Sequence, residues 1–296
     1  MRLSRQGRAD TQSWLVRSEL PSWEQTRRVR RFTGQDGKVT ATKHKRELYS
    51  PSPVFYGVVA LTVVFGVLLA QDIRWGGVTM FLFVVSGWVL SLALHEFGHA
   101  VTAFIGGDRS VVAKGYLTLD VRKYADVRTS LLFPIFILII GGIGLPGGAV
   151  WINTGAIRSP VMRSLMSAAG PAASGLVALI CLVPIRLGLV TAPWLVIGLA
   201  FLGWIQVIAM VFNLLPVPGL DGFGIIEPWL SDETRRAIRP YAQYGILVII
   251  GLIWFVDPVQ EAFFDFTDSV TEAIAGPDAL GLRSLGWFEF RFWENR

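Results

Sequence analysis

After some fifty polar residues the chain turns apolar, and charge-free runs then recur to near its end. They are Leu48–Gln71, Trp75–Leu94, Thr129–Ile157, Ser164–Ile185, Leu187–Leu220 and the shorter Tyr241–Val256. A helix that crosses a bilayer needs about 20 mostly apolar residues, so most of these runs predict membrane-spanning helices. Thr129–Ile157 differs, because Pro134, Gly141, Gly142, Gly144, Pro146, Gly147, Gly148 and Gly155 leave only a short helix-compatible piece, 131–140. Irregular backbone at membrane depth survives only where protein or water covers it, which predicts a re-entrant loop packed inside the bundle. The chain is thus expected to be an all-α polytopic membrane protein with five spans, or six if that run crosses. Beyond the last run, Val259, Phe263, Phe266, Val270 and Ile274 recur at helical spacing opposite Glu261, Asp265, Asp268 and Glu272, the pattern of an interfacial amphipathic helix.

Composition agrees. Of 296 residues 52% are hydrophobic and only 17% charged, with a mean hydropathy of +0.51, whereas soluble proteins carry about a quarter of their residues as charge. Cys181 is the only cysteine, which excludes a disulfide scaffold. The net charge of +5 is unevenly spread: residues 1–50 hold 12 Lys+Arg against 5 Asp+Glu, and residues 257–296 hold 3 against 8. A Lys/Arg excess before the first span predicts a cytoplasmic N-terminus, and with five spans the acidic C-terminus lies outside. The basic stretch has few aromatics and no fold signature, so it reads as a cytoplasmic, lipid-contacting segment with no nucleic-acid partner. The expected organisation is a basic tail (1–50), a membrane-embedded domain (51–256) and an acidic amphipathic segment (257–296).

At the end of the second run stands His95-Glu96-Phe97-Gly98-His99. On a helix, histidines at i and i+4 share one face and can bind one Zn²⁺, with the intervening glutamate placed to handle the proton of a water. Ionisable groups in an apolar helix are costly and are usually functional. A catalytic zinc site takes three protein ligands, and Asp221 is the candidate for the third. It is the first charge after the long run from Leu187, and Pro216 and Pro218 break the helix before it, letting the carboxylate turn back toward the bundle. The glycine-rich stretch 141–153 ends in Ala149-Val-Trp-Ile-Asn153, which reads either as a tight loop or as a short extended segment with a free edge.

His95-Glu96-Phe97-Gly98-His99-Ala100, together with Asn213-x-x-Pro216-x-Pro218-x-Leu220-Asp221-Gly222, resembles the site-2 protease family of intramembrane zinc metalloproteases. Pro146-Gly147-Gly148-Ala149-Val150 and Ala169-Gly170-Pro171 extend the resemblance over roughly residues 75 to 225. It implies a three-helix catalytic core, one Zn²⁺ per chain on His95, His99 and Asp221, Glu96 as base and then acid, and Asn213 as a donor to the substrate backbone or the oxyanion. The implied partners are single-span membrane proteins in the lipid bilayer, cleaved in regulated intramembrane proteolysis, and the implied location is a bacterial cytoplasmic membrane. Many members carry Asn where this chain has Ser174 and a small residue where it has Phe223. Many also carry an inserted PDZ domain or a CBS pair, and this chain is similar to the compact members without them. Two other classes share some of these features: a metal-transporting or metal-binding membrane protein, which would repeat ionisable sites along a path across the bilayer, and a non-catalytic homologue, which Glu96 speaks against.

Overall fold

In the computed structural model, residues 50–124 and 151–294 are described, and they form helices joined by short turns, with no strand among them. Four helices are long and apolar enough to cross a membrane: α1 (Pro53–Ala70), α2 (Val78–Gly106), α3 (Pro160–Arg186) and α4 (Pro193–Leu214). Shorter ones follow: α5 (Asp221–Ile226), α6 (Asp232–Ile238), α7 (Ala242–Phe255), α8 (Asp257–Ala275) and α9 (Ala279–Phe290). The pair α6 and α7 is bent by 64° and counts as a fifth span only if taken together.

Local sequence sets the boundaries. Ser52 accepts from the Phe55 N–H and Ser159 from the Met162 N–H, each followed by proline at the first helical position, where its missing N–H costs nothing. Gly107, at φ 125°, ends α2. Leu215, extended because Pro216 follows it, ends α4.

The long helices pack closely where side chains are small. A Cβ on Gly98 of α2 would lie 2.6 Å from the Ala169 carbonyl oxygen of α3, and one on Gly175 of α3 would lie 2.8 Å from Met210 Sδ of α4. The main core gathers Val84, Leu182, Phe201, Ile205, Ile208 and Phe212. Tyr56, Leu61 and Val64 of α1, Leu176 and Ile180 of α3, and Leu247 and Phe255 of α7 face outward, as lipid-facing positions do.

The second apolar run continues as helix to Gly106, so the His-Glu-x-x-His segment lies inside a 29-residue helix, as its i, i+4 spacing predicts. Of the two readings of 149–153, the described residues favour the loop: 151–153 belong to no strand and Thr154–Ala156 form a 3-10 turn, while 129–150, with the re-entrant expectation, lie outside the described residues. The acidic helix near the C-terminus forms as expected, but it packs on α3 and α4 instead of lying free at an interface. Its buried positions are Phe263, Thr267, Thr271 and Ala275, while Phe266 points outward at 58% exposure. Asp268, assigned to the polar face, accepts from Trp204 Nε1 (2.8 Å) and Arg283 Nη2 (3.0 Å) and so ties α8 to α4 and α9.

Gly98→Val is expected to force α2 and α3 apart and lower the thermal unfolding midpoint in detergent. Gly57→Ala on α1, where a Cβ meets nothing within 4 Å, should leave that midpoint unchanged or slightly raised.

Candidate metal centre

His95 and His99 sit one turn apart on α2, with Nε2 atoms 3.2 Å from each other. Asp221 arrives from the other side of the site. After Leu215 the chain runs extended through Pro216, turns at Gly219 (φ 98°) and starts α5 with Asp221 as its first residue. The turn needs Gly222, because a Cβ there would stand 2.2 Å from the Leu214 carbonyl oxygen. One Asp221 carboxylate oxygen lies 3.2 Å from His95 Nε2 and the other 3.3 Å from His99 Nε2.

These donors fit a zinc ion. A tetrahedral ion with ligands at about 2.0–2.1 Å holds its donors about 3.3–3.4 Å apart, close to the spacing of this triangle. Each imidazole is also oriented from behind. His99 Nδ1 lies 2.7 Å from the Met166 carbonyl, an acceptor only, so Nδ1 carries the proton and Nε2 presents its lone pair to the cluster. His95 Nδ1 lies 3.0 Å from Ser174 Oγ, which assigns the residue at that departure from the family pattern a histidine contact. Gly170 of α3 faces the donors: a Cβ there would lie 2.2 Å from His99 Nε2 and 2.6 Å from His95 Nε2 and would occupy the space an ion needs. Among the described residues, His95, His99 and Asp221 are the one group of three or more such side chains with metal-ligating spacing.

The triangle opens into a cavity of about 450 Å³ lined also by Glu96, Trp88, Asn213, Trp151 and Ile246. Glu96 is buried at 3% exposure beside the two histidines. Asn213, on the last turn of α4, donates from its amide to the Ala209 carbonyl (3.0 Å). A carboxamide carries two N–H groups, and this bond uses one.

One rim of the cavity, Trp151 to Thr154, is held by side chains rather than by a neighbouring strand. Asp108, just past the end of α2, accepts from the Asn153 N–H (2.8 Å) and the Ser110 N–H (2.9 Å), and Lys114 donates to the Trp151 carbonyl. Burial opposes ionisation of Asp108, but the hydrogen bonds from Ser110 and Asn153 outweigh it and hold the carboxyl below its usual range. The apolar pattern does not single out Asp108, nor Ser91 and Gln206, which also line the cavity; Gln206 does carry a signal, being the single amide inside the apolar run from Leu187 until Asn213.

The chain is similar over most of its length to proteins named as zinc metalloproteases. It is 41% identical over 260 residues to "Putative zinc metalloprotease Rip2" of Mycolicibacterium smegmatis, covering 82% of this chain and 98% of that protein. It is 41% identical over 229 residues to the protein of the same name from Mycobacterium tuberculosis, covering 74% of this chain and 86% of the relative. "Putative zinc metalloprotease YwhC" of Bacillus subtilis is 28% identical over 186 residues, covering 60% and 81%. No family model and no solved structure matches the chain.

Gly170→Ala is expected to lower bound zinc well below one per chain while helicity by circular dichroism stays unchanged. Asp108→Ala should free the rim, read as faster hydrogen exchange at the Asn153 amide. Because the Asp108 pKa is depressed on folding, its contribution to stability is present above the unfolded value of 3.8 and is lost as pH falls through the folded one, so wild type and variant should converge in strong acid.

Proposed function

Because the chain belongs to the site-2 protease family of intramembrane zinc metalloproteases and is an integral membrane protein, we propose that it hydrolyses peptide bonds in or beside the transmembrane segments of single-span membrane proteins, as a step of regulated intramembrane proteolysis. The observation that carries this reading is the close triangle of His95, His99 and Asp221 donors beside buried Glu96, inside a cavity between helices long enough to span the bilayer.

His95, His99 and Asp221 hold the metal. Bound there, Zn²⁺ supplies a Lewis acid that polarises the scissile carbonyl and lowers the pKa of a water toward about 7. Glu96 takes a proton from the attacking water and passes it to the leaving amide nitrogen, so that one water is consumed and a carboxylate and an amine are released. Asn213 offers its second amide N–H to the oxygen on which negative charge grows. Met166 and Ser174 keep the two imidazoles in the orientation that this needs. The rim at Trp151–Thr154 offers backbone to a substrate segment that has lost its own helical hydrogen bonds. The location that fits is a bacterial cytoplasmic membrane with the basic N-terminus in the cytoplasm, following the charge distribution.

A transporter of metal ions would space ionisable groups along a path across the membrane, whereas among the described residues His95, His99 and Asp221 form a single cluster. Glu96→Gln separates the two. It should retain one zinc per chain, measured on purified protein, and cut cleavage of single-span substrates by about 10²–10⁴-fold, because it removes the proton carrier and spares the three ligands. Zinc retained with cleavage undiminished would sink the role of Glu96. Carefully handled wild type without zinc would sink the metal mechanism.

A further inference from the structure

The cavity wall contains a polar pair that the proposed mechanism does not use. Ser91 of α2 donates its hydroxyl to Gln206 Oε1 of α4, and both residues are about as buried as any in the protein, at 2% and 1% exposure. They line the same cavity as the metal cluster. Gln206 Nε2 has no hydrogen-bond partner among the described residues. An orphaned amide donor deep in an apolar bundle is costly, and leucine or methionine would fill the same volume without that cost. A buried donor of this kind is a signal for a ligand that supplies the missing acceptor.

Its place along the helices says which acceptor. Ser91 precedes His95 by four residues, one turn, so the pair sits about 6 Å along the helix axis from the first histidine. Gln206 precedes Asn213 by seven residues, two turns or about 10 Å. An unwound peptide advances about 3.3 Å per residue. With its scissile carbonyl at the metal cluster, its backbone two or three residues away falls level with Gln206. There, an unwound substrate has carbonyl groups stripped of their helical N–H partners, for which a carboxamide N–H is a replacement donor.

Resting on the intramembrane-protease reading above, we propose that Gln206 is a substrate-binding residue: its carboxamide N–H donates to a backbone carbonyl two or three residues from the scissile bond, and Ser91 fixes the amide by holding its oxygen. Recognition by this contact is of backbone, so it rewards segments that unwind and is indifferent to their side chains. The donor is screened from solvent in the resting cavity, and the contact forms as the substrate takes its place, with the amide oxygen still held by Ser91.

The test uses the full-length protein in bilayers with synthetic single-span substrates in which one backbone amide at a time, up to four residues either side of the scissile bond, is replaced by an ester. An ester carbonyl is a weaker acceptor. Wild type is expected to lose several-fold in kcat/KM at one position two or three residues from the cut. Gln206→Met, apolar and near in size, should lower kcat/KM on the all-amide substrate by about tenfold, the worth of one hydrogen bond, and be insensitive to the ester at that position. Ser91→Ala should lower it less and keep some ester sensitivity. Gln206→Met as active as wild type, or an ester profile identical in both enzymes, would overturn the proposal, as would loss of zinc or of the unfolding midpoint in Gln206→Met, which marks a structural role. Wild type that holds zinc yet cleaves none of the substrates would instead refute the protease reading on which this rests.

Discussion

The contact between α2 and α3 is made nearly backbone to backbone, and the site depends on it. At Gly98 the helices come so near that even a methyl group would strike the Ala169 carbonyl, and one residue on, at Gly170, α3 faces the imidazole nitrogens. The same approach brings the Met166 carbonyl and the Ser174 hydroxyl behind the two rings. Glycine is a poor helix former in water, but in a bilayer the close approach it allows is among the forces that hold helices together. Here it also leaves the volume in which a metal fits. Fold and chemistry therefore draw on the same small residues, and a larger side chain at either position damages both.

Polar groups within this bundle follow a consistent rule. Among the described residues many buried ones are paired: Asp108 with two backbone amides, Asp268 with Trp204 and Arg283, His99 with a carbonyl, Asn213 with its own helix. Unpaired buried donors stand out against that background, since the surroundings offer no water to compensate them. The cluster of His95, His99 and Asp221 is a special case, for its three donors converge on a point instead of on each other's hydrogens.

Much of this was legible in the chain. Charge-free runs located α1 to α4, because in a bilayer the length and apolarity of a segment nearly determine whether it spans. His95, Glu96, His99 and Asp221 stood out as charges in apolar surroundings, and the Pro216–Pro218 break did deliver Asp221 to the histidines. The less legible parts depended on tertiary contacts. The α8 stripe was read as facing a membrane surface because a periodic pattern cannot say what covers it, and the threonines that do the packing, Thr267 and Thr271, look polar in a sequence while bonding their own helix. Ser174 was visible as a departure from the family, but only its distance to His95 gave it a part to play.

The tie from Asp268 to Trp204 and Arg283 changes how the end of the chain is to be regarded. Phe290 lies fully buried against Phe201 and Phe81, and Gly286 packs so tightly on Phe201 that no side chain fits between them. Residues 257–290 thus act as a buttress along α4, the helix that carries Gln206 and Asn213. Shortening the protein at its last long apolar run would strip one flank of that helix and leave Phe201 and Trp204 without cover, so an engineered form intended to keep the cavity in shape should retain the acidic end and attach any fusion beyond it.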